Sequence, residues 1–215
     1  MISESKKMAE CYRSICWFFE MIDLPRARKY IHTSLMAANS KRQWKGHTPS
    51  DLIYFYEDFT KLYNTTTHLA ASGCKRQAAI IDADVNLDDC CNISLYCSSH
   101  NKTESRLYVP VYLSAKEFCN PYKAIKKAVR FIEKTDKEDD LFNFIIKHAL
   151  SNDSFIESCV DWDVLKMNVM LQKILEATHL LYVRACTNDD RWLFRNANKE
   201  KQEDNLATNA ENDKT

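Results

Sequence analysis

TPSDLIYFYEDFTKLYNTTTHLAASG, residues 48–73, carries the signals of a helix at both of its ends. Thr48 can cap the free amides of a first turn, and Pro49 sits where its missing N–H is no loss. Asp51 stands three residues after the cap, and Gly73 lies just beyond the end. Between them Leu52, Phe55, Tyr56, Phe59, Leu62, Tyr63 and Leu69 form an apolar seam too wide for a single neighbour. Such a helix needs packing on more than one side, and that requires a bundle.

Working outward, the same periodicity recurs. Met8, Tyr12, Ile15, Phe19 and Ile22 predict a first helix that begins near Ser3 or Ser5 and stops by Leu24, because Pro25 disfavours helix in the residue before it. Pro25 can open a second helix with Ala27, Ile31, Leu35 and Ala38 on its apolar stripe, followed by a polar connector over 39–47. Downstream, Ser114 caps the next helical segment, which Pro121 can restart, with Tyr122, Ile125, Val129 and Ile132 on the apolar face. Leu141, Phe144, Ile145 and Ala149 mark another helix, and a long one from about Asp161 carries Val164, Leu171, Ile174, Leu175, Thr178 and Leu181.

Composition narrows the function. Among 215 residues there are only 2 glycines, Gly46 and Gly73, so no glycine-rich phosphate cradle exists, which argues against dinucleotide-binding and P-loop enzymes. Thirty basic and 30 acidic side chains leave a net charge of zero, which argues against a surface wholly committed to nucleic acid or anionic lipid. The polar start MISESKKMAE and the lack of a long apolar run predict a cytoplasmic protein with no membrane span. Its 9 cysteines are then expected as reduced thiols.

Between the helical regions lies IIDADVNLDDCCNISLYCSSH (80–100), where Asp82, Asp84, Asn86 and Asp88 have the spacing of a calcium loop. Leu87 replaces the glycine that turns such a loop and Ile93 replaces its bidentate glutamate, so calcium is excluded. Cys90, Cys97 and His100 supply soft zinc ligands, but a structural site needs a fourth. No resident metal or other cofactor is therefore expected. Ile93–Cys97 can pair with RLYVPVYL (106–113) as a small β-hairpin, Pro110 confining it to an edge.

CYRSICWFFEMID (11–23) echoes PYKAIKKAVRFIE (121–133), and each is followed by a shorter helix and a longer one containing Thr-His-Leu. Tyr12 and Tyr122 open the two units, and His68 and His179 close them at nearly equal separations. The fold expected is therefore mostly α, a helical bundle of two related modules. Residues 1–73 form the first, 74–113 a connector, 114–190 the second, and 191–215 a polar tail too poor in apolar residues to order.

NPYKAIKKAVRFIE together with DLIYFYEDFTKLYNTTTHLA resembles a family of uncharacterised bacterial helical proteins with an Asn-Pro-Tyr helix start, and more loosely resembles HEPN-type helical bundles. The first resemblance implies packing patterns and no catalytic residues. The second implies a ribonuclease site in which arginine binds phosphate and a histidine four to six residues on handles the 2′-hydroxyl proton. Arg26 with His32, and Arg42 with His47, have that spacing.

Two further features suit nucleic acid. Lys123, Lys126, Lys127, Arg130 and Lys134 share one helix side and could grip phosphates, and KRQWKGH (41–47) places cations beside Trp44, a residue able to stack on a base. With no legible catalytic constellation, the function expected is that of a binding or regulatory module working through a protein partner or as a homo-oligomer. A HEPN-like ribonuclease or RNA-binding protein is the alternative.

Overall fold

The structure, a computed structural model, describes residues 4–71, 109–135, 141–153 and 163–187. It contains α1 (Glu4–Met21), α2 (Leu24–Ala38), α3 (Pro49–Ala71), α4 (Ala115–Cys119), α5 (Pro121–Thr135), α6 (Leu141–Leu150) and α7 (Val164–Thr187). The chain is mostly helical, with no strand among the described residues.

The helix ends follow from local chemistry. Thr48 and Asp51 cap α3 reciprocally: the Asp51 N–H donates to Thr48 Oγ1 at 3.3 Å, and Asp51 Oδ2 accepts from the Thr48 N–H at 3.0 Å and its hydroxyl at 2.8 Å. Ser114 and Glu117 form the same box on α4. Asn120 ends α4 ahead of Pro121, which opens α5. For α2 the cap is Asp23, whose carboxylate accepts from the Arg26 N–H at 2.7 Å.

The long α7 is the axis of the bundle. Every residue from Leu171 to Leu180 is buried, with α5, α2 and α1 around it and α3 and α4 making lesser contacts. Around this axis α3 packs on α1, α5 and α6, while α2 packs on α6. One continuous apolar core takes residues from α1, α2, α3, α5, α6 and α7, so helices from both halves of the chain share it. The hydroxyls of Tyr12 and Tyr122 lie 2.5 Å apart across the α1–α5 boundary.

A helix buried all round normally carries apolar residues alone. Here α7 buries Gln172, Lys173, Glu176, Thr178 and His179 as well. Each of the first three ties down a different backbone or charge. Gln172 Nε2 donates to the Arg28 carbonyl of α2 at 3.0 Å, and Lys173 Nζ donates to Glu117 of α4 at 2.5 Å. Glu176 pairs with the Arg28 guanidinium and also accepts from the N–H groups of Val111 (2.9 Å) and Tyr112 (2.8 Å). Arg28 Nη2 reaches on to the Val109 carbonyl at 2.8 Å.

That carboxylate explains the form of Val109–Leu113. The segment follows a bent path, and two of its N–H groups go to Glu176. The rest of the expected hairpin, Ile93–Cys97 with 106–108, lies outside the described residues, as does the polar tail at 191–215.

The connector between α2 and α3 departs from its polar reading. Trp44 is buried: its Nε1 donates to Thr33 Oγ1 at 2.8 Å and its N–H to the Ala149 carbonyl of α6 at 2.8 Å. A Cβ on Gly46 would fall 2.3 Å from the Trp44 ring, so only glycine lets the chain cross the indole so closely. Replacing Gly46 with alanine is expected to displace Trp44 and destabilise the protein by about 1–3 kcal/mol, as for other overpacked sites. Urea unfolding followed by tryptophan fluorescence checks it; an unchanged midpoint would show that the connector yields without cost.

Candidate functional site

A cleft of about 260 Å³ between the end of α1 and the starts of α2 and α3 brings several chemical groups together. Phe18, Tyr30 and Phe55 form its apolar floor, Tyr30 and Phe55 being stacked at 4.9 Å. Met21 and Tyr54 stand on its rim with 65% and 63% of their surface exposed. Arg26 supplies a cation from α2, and Asp51 and Asp58 supply acids from α3. Beyond the rim Trp17 remains 43% exposed, with Lys61 Nζ over its ring at 5.4 Å and bonded to Asp58 at 2.9 Å.

Helix register builds this arrangement. Phe18 and Met21 lie three residues apart on α1, and Tyr54 and Phe55 lie one turn before Asp58 on α3, so each helix offers one inward aromatic and one outward rim residue. Such an apolar floor with a few converging charges is the usual composition of a binding surface.

Neither of the predicted Arg–His pairs comes together. Arg26, His32, Arg42 and His47 are all exposed, and no contact joins Arg26 to His32 or Arg42 to His47 among the described residues. Instead the first arginine meets the second histidine across Tyr30. Arg26 Nη2 donates to the Tyr30 hydroxyl at 3.4 Å with its Cζ 5.6 Å from the ring centroid, and the His47 ring stacks on Tyr30 at 5.9 Å. Asp51 completes the group. Hydrogen bonds from Thr48 hold its carboxyl below the usual range, with His47 and Arg26 adding to the effect.

The stacking role proposed for Trp44 is overturned by its burial. The basic row on α5 is placed as its spacing predicts: Lys123, Lys126, Lys127, Arg130 and Lys134 are all exposed, while Ala124, Ile125, Ala128, Val129 and Ile132 are buried. Cys90, Cys97 and His100 lie outside the described residues.

His68 is exposed, whereas His179, which helical spacing places off the main apolar seam, is buried against Phe19 at 4.9 Å. The difference arises because α7 has no solvent face at this level. Comparison with protein-family models, curated proteins and solved structures finds no match.

Burial, reinforced by the nearby Arg28 cation, pushes the His179 imidazole down from 6.5 to about 3. The unfolded chain therefore takes up a proton first as pH falls. This contribution is fully present above pH 6.5 and is lost below it at about 1.4 kcal/mol per pH unit. Between pH 7.5 and 5.5 the wild-type protein should lose about 1.4 kcal/mol more stability than His179→Phe. Urea unfolding at both values tests it, and equal losses would show that His179 is free to protonate in the folded state.

Proposed function

We propose that this chain is an intracellular helical binding module whose protein partner docks on the α1–α3 cleft. One observation carries the reading: Met21 and Tyr54, large side chains, both stand exposed on the rim of one cleft with an aromatic floor. Exposed apolar groups that converge on a concavity, rather than being scattered, are what an interface hot spot requires. The partner is a segment with one apolar or aromatic anchor for the floor and polar groups for Arg26 and the two acids.

Two related modules underlie this reading. Matching α1 with α5, α2 with α6 and α3 with α7 reproduces three of the helix contacts, while the α2–α3 contact has no α6–α7 counterpart of similar extent. As α1 packs on α3, α5 packs on α7; as α2 packs on α7, α6 packs on α3; as α1 packs on α7, α5 packs on α3. The Tyr12–Tyr122 hydrogen bond joins equivalent positions of the two sequence units. This supports a chain built by duplication, its modules interlocked rather than arranged in series.

Selection of peptides from a random library against the full chain tests the cleft. Peptides with an aromatic or large aliphatic anchor are expected, with affinity at least tenfold weaker for Met21→Asp and for Tyr54→Asp while the unfolding midpoint is unchanged. Binders insensitive to both substitutions would rule out the cleft as the docking site.

The meeting of Arg26 and His47 across Tyr30 favours a second reading, a HEPN-like ribonuclease site assembled from the two pairs rather than within either. In it Arg26 binds the phosphodiester and His47 accepts the 2′-hydroxyl proton. On a single-stranded RNA substrate, Arg26→Ala and His47→Ala should each reduce cleavage by about a hundredfold, while His32→Ala and Arg42→Ala leave it intact. A wild-type protein that does not cleave removes this reading.

A further inference from the structure

The basic row of α5 lies on a different helix from those that line the cleft, and its chemistry is different. Counting 100° per residue, Lys123, Lys126, Lys127, Arg130 and Lys134 fall within about 100° of arc and span about 16 Å of helix. All five are exposed, and no acid pairs with any of them among the described residues. Glu133 is the one acid on the helix and lies at the edge of the row. Lys166 of α7 extends the row sideways, its Nζ resting 4.9 Å over the ring of Phe131.

In a chain with no net charge this density is local, not a consequence of overall composition. The backing is rigid: Ala124, Ile125, Ala128, Val129 and Ile132 are all at least 96% buried against the bundle. Consecutive turns therefore present cations about 5.4 Å apart along a fixed line, dense enough for several to meet phosphates of one polynucleotide backbone, whose charges recur about every 3.4 Å along each strand.

We infer that α5, with Lys166, is a binding site for the phosphodiester backbone of a nucleic acid. The row suits phosphate contact more than base reading, since four of its five cations are lysines, flexible point charges without a planar fork. Binding is consequently tight at low salt and indifferent to sequence. An anionic lipid surface suits it less well, because a helix that lies in a membrane interface must insert its apolar face, and here that face is locked in the core.

Fluorescence anisotropy with the full chain tests the site, using a 20-base-pair DNA duplex, a 20-nucleotide RNA and, separately, vesicles of mixed phosphatidylcholine and phosphatidylserine. Wild-type protein should bind the duplex with a log–log salt slope of about −4 to −5. In Lys126→Gln/Lys127→Gln/Arg130→Gln, which leaves the core untouched, affinity at 50 mM salt should fall at least tenfold and the slope should flatten by about 3. The tighter of the DNA and RNA arms identifies the natural source. The inference is overturned by absent binding at 50 mM salt, by equal binding in the triple variant, or by row-dependent capture of vesicles in preference to either nucleic acid.

Discussion

A carboxylate in the middle of a buried helix has to be answered, and in this protein Glu176 is answered by three groups at once. Removing an ionised carboxylate from water costs several kcal/mol even after relaxation, and a single ion pair seldom offsets it. Here the Arg28 guanidinium of α2 and the N–H groups of Val111 and Tyr112 converge on the two oxygens. Arg28 in turn holds the Val109 carbonyl, so the segment that leads into α4 is fixed at both its acceptor and its donor groups.

The neighbouring polar residues of α7 extend the same principle one turn at a time. Gln172 holds the backbone of α2, and Lys173 holds Glu117. Burial alone would raise the Glu117 carboxyl, but hydrogen bonds from Lys173 and Ser114 outweigh it and keep it below the usual range. Polar contacts of this kind are directional where apolar contacts are not, so they define how the surrounding helices are placed about the axis. The cleft depends on this placement because Arg26 and Tyr30 share α2 with Arg28. The basic row depends on it because α5 packs directly on α7.

How much of this could be read beforehand differed with the range of the interaction. The α3 boundaries were legible because Thr48, Pro49 and Asp51 act within one turn, and the buried faces of α2 and α5 were legible because helical spacing is local. The Arg28–Glu176 pair was not, since 148 residues separate its members and neither differs in sequence context from a solvated charge. Trp44 was misread for a related reason. Its cationic neighbours suggested exposure, while its burial comes from contacts with Thr33 and with Ala149 of α6. His179 was placed off the apolar seam by a rule that assumes every helix has a wet side. The juxtaposition of Arg26 with His47 lay out of reach because each residue was matched only within its own short spacing.

Hydrogen exchange at the amides of Val111 and Tyr112 tests the central claim most directly. Both lie outside regular secondary structure, and Val111 exposes most of its surface. If Glu176 clamps the bundle as described, these two amides exchange at least about a thousandfold more slowly than an unstructured peptide, approaching those in the middle of α7. Exchange at the unprotected rate while α7 remains protected would contradict the account.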